Sequence, residues 1–313
     1  MAVVLIVAGL ALLVLSGDAL VRGAVSIAQR LSVPPIIVGL TVVAFGTSAP
    51  ELVVSLQAAF AGAPGLALGN VVGSNIANVT IILGLPALIA PTLLTEKGTR
   101  TSAFFMVAIS AFLMMNMHGL MIDRLTGLRL VLLLAIYLGF SARSARDSAK
   151  AAEEEVAAAM LSLPAAIALT IFGVIGLALG GKLTTDGALG IAATFGVAES
   201  AVGLTIVALG TSLPELAAGI AAVLRKQNGV AIGNIIGSNI FNILGILGIT
   251  ALFFPLPVEV EMASVDMWIM FVTSLMILVM TFWTDRISRL TGIILTLGYF
   301  VYVIVALRHG VAH

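Results

Sequence analysis

Glu51 and Glu215 each lie near the middle of a long apolar run, where a carboxylate is out of place. An acidic side chain at mid-bilayer depth costs about 2.5–3.5 kcal/mol on insertion scales, so two of them mark a functional site. Each acid follows a proline, Pro50 or Pro214, in the segments Gly46-Thr47-Ser48-Ala49-Pro50-Glu51 and Gly210-Thr211-Ser212-Leu213-Pro214-Glu215. Proline has no amide hydrogen and clashes with the carbonyl four residues back. The chain is therefore expected to unwind over Gly46–Ser48 and Gly210–Ser212, freeing oxygens that can hold a cation. The following apolar run supplies neutral oxygens: Ser74 and Asn78, and likewise Ser238 and Asn242, are four residues apart and share a helix face. Asn70 and Asn234 lie one turn earlier on those faces, whereas Asn75 and Asn239 point about 100° away and are expected to support rather than coordinate. Gly69 with Gly73, and Gly233 with Gly237, form small-xxx-small patterns that allow close helix approach. Two carboxylates with hydroxyl, amide and carbonyl oxygens suit hard ions such as Ca²⁺ and Na⁺ and disfavour zinc, copper and, less strongly, Mg²⁺.

The elements that must carry these residues follow from composition. Of 313 residues, 60% are apolar and 10% charged, mean hydropathy is +1.19, and fifteen basic residues balance fifteen acidic ones. This excludes a soluble enzyme, a disordered chain and a basic nucleic-acid binder. The absence of cysteine excludes disulfides, thiolate nucleophiles and Cys-bound zinc. With about 20 residues needed per helical crossing, ten apolar runs are legible: 3–30, 36–62, 66–90, 101–119, 125–142, 161–183, 199–224, 229–254, 264–283 and 288–308. They are too long and uniform for barrel strands. The first run lacks a basic start and reads as a span rather than a cleaved signal.

A shift of 164 residues superimposes the two halves. It lays Gly39-Leu40-Thr41 on Gly203-Leu204-Thr205, the two acid-bearing hexamers on each other, and Gly73-Ser74-Asn75-Ile76-Ala77-Asn78 on Gly237-Ser238-Asn239-Ile240-Phe241-Asn242. Five spans separate mates, so the copies are expected to cross the membrane in opposite senses. The fold expected is an all-α integral membrane protein of ten transmembrane helices in two inverted five-helix repeats, 1–142 and 161–313, joined by a solvated cytoplasmic linker at 143–160. Basic residues concentrate in alternate loops (Arg30, Lys97, Arg100, Arg143, Arg146, Lys150, Arg225, Lys226, Arg286 and Arg289). That puts both termini on the non-cytoplasmic side of the cell (inner) membrane.

The repeated segments resemble the two α-repeats of the sodium/calcium exchanger branch of the cation/calcium antiporter superfamily, and the resemblance covers essentially the whole chain. It implies a ten-helix exchanger that extrudes Ca²⁺ against inward Na⁺. Carried over by position, it implies a coordinating set of Thr47, Ser48, Glu51, Ser74 and Asn78 with Thr211, Ser212, Glu215, Ser238 and Asn242, joined by backbone carbonyls near Ala44 and Ala208. Several members have Asp where this chain has Asn242, and in the potassium-dependent branch that Asp is associated with K⁺ use. Asn242 argues against K⁺ co-transport and removes a possible third carboxylate. No cofactor, nucleic acid or obligate protein partner is expected; the lipid bilayer, Ca²⁺ and Na⁺ are the partners.

The nearest rival is a Ca²⁺/H⁺ antiporter of the same fold, in which both glutamates carry protons. A hydrolase using Ser48 or Ser212 lacks a buried His or Lys as base, and a passive channel has no need of two-sided gating. Asp18 and Arg22, four residues apart, are expected to pair. His118, His309 and His313 fall at span ends or in the tail. Trp268, Trp283, Tyr299 and Tyr302 are expected at the interface or against lipid, and the twelve methionines as apolar filling.

Overall fold

The computed structural model describes residues 2–117, 120–151, 161–194 and 208–310. Every one of the ten apolar runs holds helix. The helices are α1 (Ala2–Arg30), α2 (Pro35–Thr47), α3 (Ala49–Phe60), α4 (Pro64–Ile89), α5 (Thr99–Met115), α6 (Arg124–Ala151), α7 (Leu163–Thr194), α8 (Ala208–Thr211), α9 (Leu213–Leu224), α10 (Asn228–Phe253), α11 (Met262–Trp283) and α12 (Arg289–Gly310). Among the described residues seven helices are long and apolar enough to cross a membrane, and α2 with α3, bent by 43°, make an eighth. α5 and α9 are apolar but shorter, at 17 and 12 residues. The expected seventh run, 199–224, begins in residues outside those described. α6 continues to Ala151, into the stretch expected to be linker, because Ala, Arg and Lys there are good helix formers.

Helix starts follow local chemistry. Asp123 Oδ1 accepts the Thr126 N–H at 2.8 Å and caps α6, a bond that also holds its carboxyl below the usual range. Ser288 caps α12 through the Thr291 N–H. α3 and α9 end alike: Gly62 (φ +78) and Lys226 (φ +57) both turn left-handed. The following amides, of Ala63 and Gln227, reach back to the carbonyls of Ala58 and Ala222.

α4 and α10 form the centre. In their most apolar stretches 78% and 89% of residues are buried, against 22–33% for the other five single-helix spans. α10 meets α2 at van der Waals limits: a Cβ added at Gly233 would lie 2.5 Å from the Ile36 carbonyl oxygen, and one at Gly237 2.5 Å from that of Leu40. The expected close approach thus holds at Gly233 and Gly237, while Gly69 and Gly73 meet no such backbone among the described residues. α1 and α7 pack antiparallel along their length, Gly9 against Gly180 and Thr184, Gly23 against Ala166 and Thr170. Two short antiparallel ribbons tie the halves together: β1 (Thr92–Leu93) with β4 (Arg286–Ile287), and β2 (Met121–Ile122) with β3 (Leu256–Pro257).

Asp18 pairs with Arg225 at the end of α9, not with Arg22. Arg225 lies outside the helix of Asp18, so helix spacing alone cannot reveal it. Trp268 and Trp283 are exposed as expected, whereas Tyr299 is buried and Tyr302 donates to Asp266 Oδ1. His118 and His313 lie outside the described residues.

Candidate cation site

The break before each acid is confined to one residue. Ser48 (φ −85, ψ 7) and Ser212 (φ −90, ψ 4) leave helical geometry, and the chain re-enters helix at Ala49 and Leu213. This is tighter than the three-residue unwinding expected. Pro50 and Pro214 fall in the first turn of the new helix, where a missing N–H costs nothing. Glu51 and Glu215 thereby sit in the first turns of α3 and α9, at the positive ends of those helices, and only 1% of each is exposed.

Each half completes the acid of the other. The Ser48 hydroxyl donates to Glu215 Oε1 at 2.8 Å, and Ser212 donates to Glu51 Oε1 at 3.2 Å. Thr47 donates to Asn234 Oδ1 at 3.1 Å, and Thr211 to Asn70 Oδ1 at 3.4 Å. Ser212 also reaches Ser74 at 3.3 Å. Asn78 Nδ2 donates to Asn239 Oδ1 at 3.2 Å, and Asn242 Nδ2 to Asn75 Oδ1 at 2.9 Å. Apart from the Ser212–Ser74 contact, every one of these bonds recurs with both partners shifted by 164 positions. Glu51, Glu215, Ser48, Ser212, Thr47, Thr211 and Ser74 are thus buried in bonds that cross between the copies, and Asn78 and Asn242 form a second buried cluster with Asn75 and Asn239.

Five buried oxygens in this region have no hydrogen-bond partner among the described residues: Glu51 Oε2, Glu215 Oε2, Asn78 Oδ1, Asn242 Oδ1 and Ser238 Oγ. A buried acceptor left unpaired costs about 1–3 kcal/mol, more when it is charged. Four of them are two equivalent pairs, Glu51 with Glu215 and Asn78 with Asn242, and they fit a cation as the missing partner. All are hard oxygen donors, the kind that Ca²⁺ and Na⁺ take.

Ala44 lies where the resemblance puts a coordinating carbonyl. Its carbonyl already accepts the Ser48 N–H at 3.0 Å and the Thr47 hydroxyl at 3.3 Å. These bonds follow from the helix continuing to Thr47. Ala208 is the first described residue of α8. Among the described residues no group of three or more His, Cys, Asp or Glu could hold a metal, so the charge rests on the two glutamates.

Some participants were not legible as such. Asn70 braces the turn below Glu51, donating to its carbonyl at 3.2 Å and to Ser55 Oγ at 2.9 Å. Met106 and Met270, expected as filling, accept from Asn239 Nδ2 at 3.4 Å and Asn75 Nδ2 at 3.7 Å. One signal could have found them: they are also 164 apart. A cavity of about 460 Å³, lined by Phe45, Leu138, Ile171 and Val174 among others, is apolar and touches neither acid.

The model of the sodium/calcium exchanger protein family matches residues 1–143 and 165–308. The putative antiporter CaxA of Alkalimonas amylolytica is 36% identical, over 96% of this chain and 97% of its own. The sodium/calcium exchanger MaX1 of Methanosarcina acetivorans is 29% identical, over 95% and 96%. The solved structure of the sodium-calcium exchanger NCX_Mj soaked with Na⁺ and Sr²⁺ superimposes with a TM-score of 0.85 at 32% identity, covering 97% of each chain. Matched along nearly its whole length by family model, relatives and fold alike, the chain belongs to the sodium/calcium exchanger family.

Proposed function

We propose that the chain is a secondary antiporter exchanging Na⁺ for Ca²⁺ by alternating access, with the ions held by Glu51 and Glu215 and by oxygens of Thr47, Ser48, Ser74, Asn78, Thr211, Ser212, Ser238 and Asn242. The observation that carries this reading is the set of five partnerless buried oxygens, two of them carboxylate, contributed by both copies. Two negative charges are balanced by one Ca²⁺ or by two Na⁺. Either loaded form can reorient, while the empty, doubly charged site bears the cost of uncompensated burial. Obligatory exchange follows.

The antiparallel run of α1 against its mate α7 and the reciprocal bonds support ten spans in two inverted repeats. The end of the molecule bearing the β1–β4 ribbon gathers Arg100, Arg286 and Arg289. Their guanidinium or backbone groups meet Thr281, Leu93 and Ile89. By the positive-inside rule this end faces the cytoplasm, with both termini opposite.

Purified protein in vesicles loaded with Na⁺ should accumulate ⁴⁵Ca²⁺ when external Na⁺ is removed at constant pH. A pH gradient alone should drive none. Uptake driven only by the pH gradient would replace this reading with Ca²⁺/H⁺ exchange, and Ca²⁺ leak without any counter-ion would make the chain a channel.

A further inference from the structure

Asn78 and Asn242 can serve a cation only if their carboxamides present oxygen and not nitrogen. The two ends of a carboxamide are nearly the same shape, so a half-turn about the terminal bond replaces an attractive dipole with a repulsive N–H pair. Something must break that degeneracy.

Two mirrored chains of hydrogen bonds do so. Asn78 Nδ2 is taken by Asn239 Oδ1, and Asn239 in turn spends its own Nδ2 on the Met106 sulfur. Asn242 Nδ2 is taken by Asn75 Oδ1, and Asn75 spends its Nδ2 on the Met270 sulfur and the Asn239 carbonyl. A thioether accepts and never donates. Reversing Asn75 or Asn239 would therefore set oxygen against sulfur and strand a buried donor. All four asparagines are at most 1% exposed and both methionines are wholly buried, so water cannot substitute. The outcome is visible at the far end of each chain: Asn78 Oδ1 and Asn242 Oδ1 are the atoms left unpartnered.

We infer that Asn75 and Asn239, keyed by Met270 and Met106, are positioning residues that aim the carbonyl oxygens of Asn242 and Asn78 at the transported cation and thereby set its preference for Ca²⁺ over Na⁺. The inference rests on the reading of Asn78 and Asn242 as cation ligands. Ion–dipole energy scales with ionic charge, so a misaimed amide weakens a divalent ion's hold about twice as much, in free energy, as a monovalent ion's.

The test is ⁴⁵Ca²⁺ uptake into Na⁺-loaded vesicles, measuring half-saturating Ca²⁺, maximal rate and the Na⁺ concentration that half-inhibits. Asn75→Leu should raise half-saturating Ca²⁺ about tenfold, leave the maximal rate within about twofold, and raise half-inhibiting Na⁺ by less than the Ca²⁺ value. Met270→Leu, which keeps the volume and removes the acceptor, should shift the Ca²⁺ value the same way by a smaller factor, and it serves should Asn75→Leu fail to fold. In an Asn242→Ala background neither substitution should add more, because no carboxamide remains to be aimed. Equal rises in both backgrounds, or no rise in the first, overturn the inference alone. If Asn242→Ala itself leaves half-saturating Ca²⁺ unchanged, the ligand assignment falls and the inference with it.

Discussion

Serine hydroxyls from the opposite copy orient each carboxylate. Ser48 and Ser212 engage one oxygen of the opposite glutamate and leave the other unpartnered. Each acid is thus oriented without being neutralised. Glu51→Gln or Glu215→Gln should abolish Ca²⁺ uptake while the protein still folds, since a neutral amide relieves the burial cost. Ser48→Ala or Ser212→Ala removes a hydrogen bond to a charged group, about 1.5–3 kcal/mol, and should raise half-saturating Ca²⁺ at least about tenfold. Calorimetric titration of Ca²⁺ and vesicle uptake both read this. The glutamates were legible in the sequence because an acid inside an apolar run is conspicuous, and the Ser and Asn residues because their pattern is written twice. Met106 and Met270 were not, since a methionine that accepts a hydrogen bond is spelled like one that fills space. Nor was Ala44's engagement, which depends on how far a helix persists before it breaks.

Element ends carry the next level of control. Proline predicts a break in α2–α3 and α8–α9 but not its extent. It shrinks to Ser48 and Ser212 because Pro50 and Pro214 are also well suited to start a new helix. The left-handed residues that end α3 and α9 differ, Gly62 in one copy and Lys226 in the other. A side chain in that region costs about 1–2 kcal/mol, partly offset by glycine's greater loss of backbone freedom. Lys226→Gly should therefore stabilise the protein by about 0.5–1 kcal/mol, seen as a small rise in melting temperature in detergent, with Ca²⁺ uptake unaltered. Apolar runs located every helix, yet two came out at 17 and 12 residues, because run length does not register where the chain turns into a ribbon or breaks at a serine.

Across the whole molecule the two copies are mates but not duplicates. Lys182 and Asp186 on α7 form an ion pair at 2.8 Å, and their mates on α1 are Asp18 and Arg22, with the charges exchanged. There the pattern is broken: Arg225, whose mate is Ala61, draws Asp18 across to α9. Both partners are about 40% exposed, so the pair contributes at most about 1 kcal/mol. Asp18→Asn should lower the melting temperature by no more than about 2 °C, and exchanging the two charges by Asp18→Arg with Arg225→Asp should recover most of it. A larger loss would make this contact a major tie between the copies. Periodicity could suggest an i,i+4 pair on α1 but could not see that another helix ends beside it.

The crossed bonds around the acids have an ancestral consequence. Serine, threonine and asparagine of one copy finish the glutamate, asparagine and amide contacts of the other, so a half-length gene product could carry cargo only by associating with a second molecule of itself. A single chain that carries both copies fixes that stoichiometry at one to one and releases each half from having to match its twin. Lys226 opposite Gly62 and Arg225 opposite Ala61 are the divergences that such a release permits.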